Sequence, residues 1–165
     1  MDFRIEHNFD ADPDTIAQVI LDEDYQASLD GLGPLSERKV LEQESLTDGT
    51  VRRRVRCVLD IDVSGAARKF IGDADPAWIE HAIWHPRERT WDWTIEPLAA
   101  QDFLKASGQI ELSPTREGTR RTVLGVVKVS VPIVGGRVEG WIVEGLGRAY
   151  DEEARVLGRR LGRSL

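Results

Sequence analysis

Two hydrophobic periods divide this chain. Through most of residues 3–131 apolar side chains recur at every second position, and from Gly136 to about Leu161 they recur at every third and fourth. The first period belongs to strands with one buried face and the second to an amphipathic helix, which restricts the chain to a sheet followed by one long helix. Phe3, Ile5, His7 and Phe9 alternate with Arg4, Glu6, Asn8 and Asp10, so His7 faces inward on the first strand. Asp12-Pro13-Asp14 then supplies an N-cap, a proline at the first helical position and a carboxylate in the first turn. Ile16, Val19 and Ile20 form the apolar stripe of that helix, and a second short one is expected from about Asp24 to Leu29, stopped by Gly31 and Gly33-Pro34.

The next two strands are divided by Thr47-Asp48-Gly49-Thr50, where Asp-Gly offers the positive-φ positions of a tight hairpin. Val51, Val55, Cys57, Leu59, Ile61 and Val63 share one face; Arg52, Arg54, Arg56, Asp60 and Asp62 share the other, with Arg53 turned inward. Ser64 to Pro76 reads as a crossover loop with a helical turn around Arg68 to Ile71. Trp78 to His85 and Thr90 to Glu96 make a hairpin around Pro86-Arg87-Glu88, and Trp91, Trp93 and Ile95 form its inner face. Leu104, Ala106, Gly108, Ile110 and Leu112 continue the alternation, Glu117-Gly118 turns the chain, and Val123, Gly125, Val127, Val129 and Val131 complete it. Seven strands in succession predict an antiparallel meander. On the last helix Val138, Trp141, Ile142, Gly145, Leu146, Ala149, Val156 and Leu157 form the apolar face, with Glu144–Arg148 and Asp151–Arg155 as i,i+4 pairs.

Composition narrows the function classes. At 165 residues the chain suits one domain, residues 1–165, with one core. A net charge of −7 repels phosphate backbones, which disfavours nucleic acid as a partner. One cysteine, Cys57, permits no internal disulfide and no multi-cysteine metal site. The sequence shows no secretory signal pattern and no run near the ~18 apolar residues of a membrane span, so a cytoplasmic location without integral membrane insertion is expected.

The order strand, two short helices, six strands, long helix resembles the helix-grip fold of the START-like, birch-pollen-allergen-like (SRPBCC) superfamily. Within it, Val131-Pro132-Ile133-Val134-Gly135-Gly136-Arg137-Val138-Glu139 at the start of the last helix is similar to a bacterial branch defined only as a domain of unknown function. The resemblance implies an α+β domain. Its seven-stranded curved antiparallel sheet would carry the long C-terminal helix across the concave face, above a cavity. Relatives use that cavity for lipids, sterols, polyketides or aromatic compounds, and some for cyclase or dehydratase chemistry.

On that arrangement Trp91, Trp93, Ile95, Leu104, Ile110 and Val127 face Trp141, Ile142 and Gly145, joined by Cys57, Leu59 and His7 from the other inner faces. Aromatic lining with few polar anchors is the composition of a pocket for a small hydrophobic molecule; a solid core is the competing reading. Glycines at 108, 125 and 145 on inner faces signal either curvature or room for a guest. Binding or transport of such a ligand without catalysis and without a cofactor is the leading expectation.

Two alternatives stand beside it. His7 with Glu153, which interrupts the helix's apolar stripe, could act as an acid/base pair in a polyketide cyclase/dehydratase-like enzyme; packed singly, the histidine is a core residue and Glu153 reaches solvent or Arg160. The loop from Ser64 to Pro76 could instead dock a protein partner. His81 and His85, four apart, would share a metal on a helix, but on a strand they stand ~13 Å apart, so no metal site is expected.

Overall fold

The computed structural model describes residues 1–60, 76–99 and 101–162. Strand β1 (Asp2–Phe9) is followed by helices α1 (Pro13–Leu21) and α2 (Glu23–Ala27). Then come β2 (Leu35–Ser45), β3 (Val51–Leu59), β4 (Ala77–His85), β5 (Thr90–Pro97), β6 (Leu104–Pro114) and β7 (Thr119–Val129). Helix α3 (Gly135–Gly162) ends the described chain. The expected strand residues Ile61 and Val63, and the crossover with its helical turn, lie outside the described residues except for Pro76.

All seven strands form one antiparallel sheet in the order β1-β7-β6-β5-β4-β3-β2. The meander therefore runs from β2 to β7, and β1 pairs with β7 on the far edge instead of with β2. Helices α1 and α2 carry the chain between the two edges. Each has an aspartate cap: Asp12 Oδ1 accepts from the backbone N–H groups of Asp14 and Thr15, both at 3.0 Å, and Asp22 Oδ1 accepts from Tyr25 N at 2.8 Å. In the β2–β3 hairpin Gly49 alone takes a positive φ (85°), while Asp48 uses its side chain to bind Thr50 N at 2.9 Å.

The edge strand β2 is irregular. Its register against β3 slips between Leu35 and Glu37 and again between Val40 and Glu42, and Ser36, Lys39, Glu42 and Glu44 on it are exposed. The outward arginines of β3 pair with it, Arg54 with Glu42 at 3.6 Å and Arg56 with Glu37. This is a solvated charged surface, as alternation predicts. His81 and His85 sit on β4, each bound to a different carboxylate of β5, Glu96 at 2.9 Å and Asp92 at 3.0 Å.

The core gathers where α1, α2 and the C-terminal half of α3 meet the sheet: Ile16, Ile20, Tyr25, Leu29 and Leu157 are buried there. At 28 residues α3 is about 42 Å long, so only part of it can be packed this way. Its N-terminal half spans the opposite end of the sheet. Of the two predicted i,i+4 pairs, Glu144–Arg148 forms at 2.6 Å. The other does not, because Asp151 is taken by His7 of β1 and Arg155 pairs with Glu152.

Two of the three inner glycines give no room to a guest. Register places Trp93, Gly108, Gly125 and Phe3 in one row across β5, β6, β7 and β1. The rings lean over the glycines from both sides, with centroids 6.2 Å apart and planes tilted by 33°. A Cβ on Gly108 would lie 2.0 Å from Leu124 O and 2.5 Å from Trp93 Cζ2, and one on Gly125 would lie 2.6 Å from Phe3 Cζ. Here glycine permits close approach of ring and backbone. Gly145 is different: a Cβ there meets nothing nearer than Leu59 Cδ1 at 4.0 Å.

Candidate functional site

Between the N-terminal half of α3 and the sheet lies a cavity of ≈ 460 Å³. Its floor is Leu59 of β3, Trp78 of β4, Trp93 and Ile95 of β5, and Leu104 and Ala106 of β6. Its roof is Val138, Trp141, Ile142, Gly145 and Ala149 of α3. Glu80, Glu144 and Arg148 are the charged residues among its described lining. The volume falls within the ~300–1,000 Å³ of small-molecule sites, and the lining is mainly apolar with few polar groups. Trp141 keeps 47% of its surface exposed, which puts the indole at the rim and not deep inside.

A second chamber of ≈ 90 Å³ shares Trp78, Glu80, Trp93, Leu146, Ala149 and Tyr150 with the first. Its chemistry is different. Arg38, Arg53 and Arg121 line it together with Glu80 and Glu153, beside Cys57, Trp91 and Ile110. Arg121 is 1% exposed and Arg53 7%. Arg121 reaches Glu153 Oε2 at 3.3 Å through Nη1, and through Nη2 it contacts His7 Nδ1 at 3.1 Å and donates to Tyr150 O at 3.2 Å. Its guanidinium also lies over the rings of Phe9 and Tyr150, 5.4 and 5.6 Å from their centroids. Arg53 donates through Nη1 to Ile20 O at 3.0 Å.

Burial sets the proton affinities here. Desolvation lowers the Arg53 guanidinium to about 10, leaving it charged at neutral pH, and pushes the Cys57 thiol up to about 12. Cys57 is thus a neutral, inert side chain near pH 7. Burial, then the nearby Glu153, raises the Tyr25 phenol; burial, then Glu80, raises that of Tyr150.

The structure distributes the sequence-predicted residues over three places. Leu59, Leu104, Trp141, Ile142 and Gly145 line the larger cavity, Cys57, Trp91 and Ile110 the smaller one, and Trp93 lines both. His7 and Val127 line neither. Val127 is wholly buried in the core, and His7 is held at the seam of β1 and α3, where Nε2 lies 2.9 Å from Asp151 Oδ1 and Nδ1 faces Arg121. His7 and Glu153 are brought together through Arg121, the hub to which each is bonded. Glu153 pairs with Arg121 and not with Arg160, which meets Asp22 at 3.4 Å.

Arg121, Tyr150, Trp78 and Glu80 were missed by sequence reasoning. For Arg121 a signal existed: it stands two positions before Val123 in the same alternating phase as Gly125 and Val127, so the strand pattern already turned it inward. Glu80 has the same relation to Trp78, Ala82 and Trp84.

None of the curated proteins compared with the chain matches it. Among solved structures, TTHA0849 from Thermus thermophilus superposes with a TM-score of 0.70 at 19% identity, covering 99% of both chains. The Zhui aromatase/cyclase from Streptomyces sp. R1128 gives 0.64 at 13% identity, over 99% of this chain and 95% of that one. The STAR-related lipid transfer protein (fragment 25-204) from Xanthomonas axonopodis gives 0.61 at 13% identity, over 94% and 85%. At such identities the likeness is one of fold: this is a START-like helix-grip architecture. A family model matches residues 4–161, and the chain accordingly belongs to the family described as "Protein of unknown function (DUF2505)".

Proposed function

We propose that this chain is a single ligand-binding domain that takes up a small hydrophobic molecule in the larger cavity, without chemistry on it. The observation that carries the reading is the ≈ 460 Å³ space walled by Trp78, Trp93, Ile95, Leu104 and Ile142, which a well-packed core would not leave. Transfer of apolar ligand surface out of water into this space supplies the affinity. The lipid-transfer and aromatase/cyclase proteins of the same fold support ligand occupancy of a helix-grip cavity, and they divide between carriage and catalysis. Carriage is favoured here because His7, the acid/base candidate, has both ring nitrogens engaged at the β1–α3 seam and lines neither chamber.

The test is a tryptophan-fluorescence titration with long-chain alcohols, sterols and polyaromatic compounds. Trp78, Trp93 and Trp141 all border the space, so a saturable change is expected on binding. Gly145→Phe should abolish the response while leaving the fold intact, because the added ring has only the cavity to enter. No saturable response from any class, or an unchanged response in Gly145→Phe, would overturn the reading.

A further inference from the structure

The smaller chamber has a feature that the apolar cavity does not explain. Among the described residues, three that line it each carry a buried side-chain nitrogen with no hydrogen-bond partner: Arg53 Nε, Arg121 Nε and Trp93 Nε1. All three are donors, since neither guanidinium nor indole has an acceptor. Buried donors left without acceptors are costly, and native folds rarely collect three in one place. The charges point the same way. Three arginines face two glutamates across the chamber, leaving one positive charge in excess, and Glu153 is already held by Arg121 Nη1. At ≈ 90 Å³ the chamber has room for about three water-sized groups, which suits a head group and not a chain or ring.

We infer that the smaller chamber seats one carboxylate, the head of an amphipathic ligand whose apolar body fills the larger cavity. This rests on the reading of the larger cavity as a ligand site and adds polarity and direction to it: the ligand lies head inward, tail toward Trp141 at the rim. A carboxylate is acceptor-only, brings the single negative charge that balances the arginines, and has two oxygens for the orphaned N–H groups. Trp93 lines both spaces and so stands where head and tail would meet. Glu80 lines both spaces too and is the group that would draw a cationic head instead.

The experiment compares three probes with one tail, dodecanoate, dodecanol and dodecylammonium, titrated at pH 8 below their micelle concentrations. Dodecanoate is expected to bind at least tenfold tighter than dodecanol, with dodecylammonium weakest. Arg53→Met, which keeps the volume of the side chain, should bring dodecanoate down to the level of dodecanol and leave dodecanol unchanged. The ranking in the unaltered protein decides the matter even if that variant fails to fold. Equal binding of acid and alcohol, the result expected if water alone satisfies the chamber, overturns the carboxylate seat and leaves the apolar site standing. Tightest binding of the ammonium overturns it in favour of Glu80. Failure of all three to bind removes the apolar site and the seat together.

Discussion

Adding one methyl group at each of three inner glycines should separate the packed row from the open cavity. At Gly108 the new carbon would stand 2.0 Å from the backbone oxygen of Leu124 and 2.7 Å from Gly125 Cα, and backbone cannot rotate away. Overpacking a close-fitted core costs about 1–3 kcal/mol, and Gly108→Ala belongs at the upper end. At Gly125 the obstacles are ring atoms of Phe3 and Trp93 at 2.6 and 2.7 Å, which can tilt, so Gly125→Ala should cost roughly 1–2 kcal/mol. Gly145 reverses the sign. Its Cβ enters open space in a helix interior, and alanine there should gain about 0.5–1 kcal/mol over glycine. For a chain of this length 1 kcal/mol moves Tm by roughly 2–4 °C. Thermal melts followed by circular dichroism should therefore show Gly108→Ala some ~6–12 °C below the parent, Gly125→Ala between the two, and Gly145→Ala ~1–4 °C above it. If Gly108→Ala melts with the parent, the row of rings over glycines is not closely packed. If Gly145→Ala melts lower, the space above it is not open.

Two further outcomes follow from the charged groups. Arg121→Ala strands Glu153 and unties His7 and Tyr150 O, and should destabilise by about 3 kcal/mol, the low end for a broken buried pair because Glu153 keeps a fifth of its side chain exposed; recovery of part of that loss in Arg121→Met/Glu153→Gln, read by urea denaturation, checks that the stranded charge is the cause. Hydrogen bonds from Thr15 hold Asp12 below the ordinary carboxylate range, and those from Val129 N and the Met1 ammonium do the same for Glu139, so their stabilisation is full above the unfolded values of 3.8 and 4.5 and is lost as pH falls through the lower folded values. Asp12→Asn should accordingly flatten the acid limb of a plot of Tm against pH below about pH 4, and an unchanged limb would contradict the assignment.

Much of this architecture was readable before any coordinates, because period two and period 3.6 record which side chains turn inward. The strands around Trp91 and Val55, the aspartate-capped α1 and the long final helix all follow from that signal. What the signal lacks is depth and partner. It turned Trp141 toward the sheet but could not show that the indole stops at the rim, and it assigned Asp151 to Arg155 where a tertiary neighbour, His7, competes successfully. It allowed Gly108 and Gly125 to be either space or contact, a choice that only the cross-strand register with Trp93 and Phe3 resolves. Arg121, which sequence reasoning passed over beside Arg120 and the Glu117-Gly118 turn, is among the most deeply buried side chains described. A buried cation is readable only when its phase within the strand outweighs its charge, and here the phase was correct.

The slipped register of β2 has a consequence for how these molecules behave together. A flat border of free N–H and C=O groups eleven residues long would be a template on which another chain could zip. Twice kinked and studded with Ser36, Lys39, Glu42 and Glu44, this border offers no long straight run of acceptors and donors and carries charged side chains along its length. The β2 edge of the sheet is thus a poor seed for fibres.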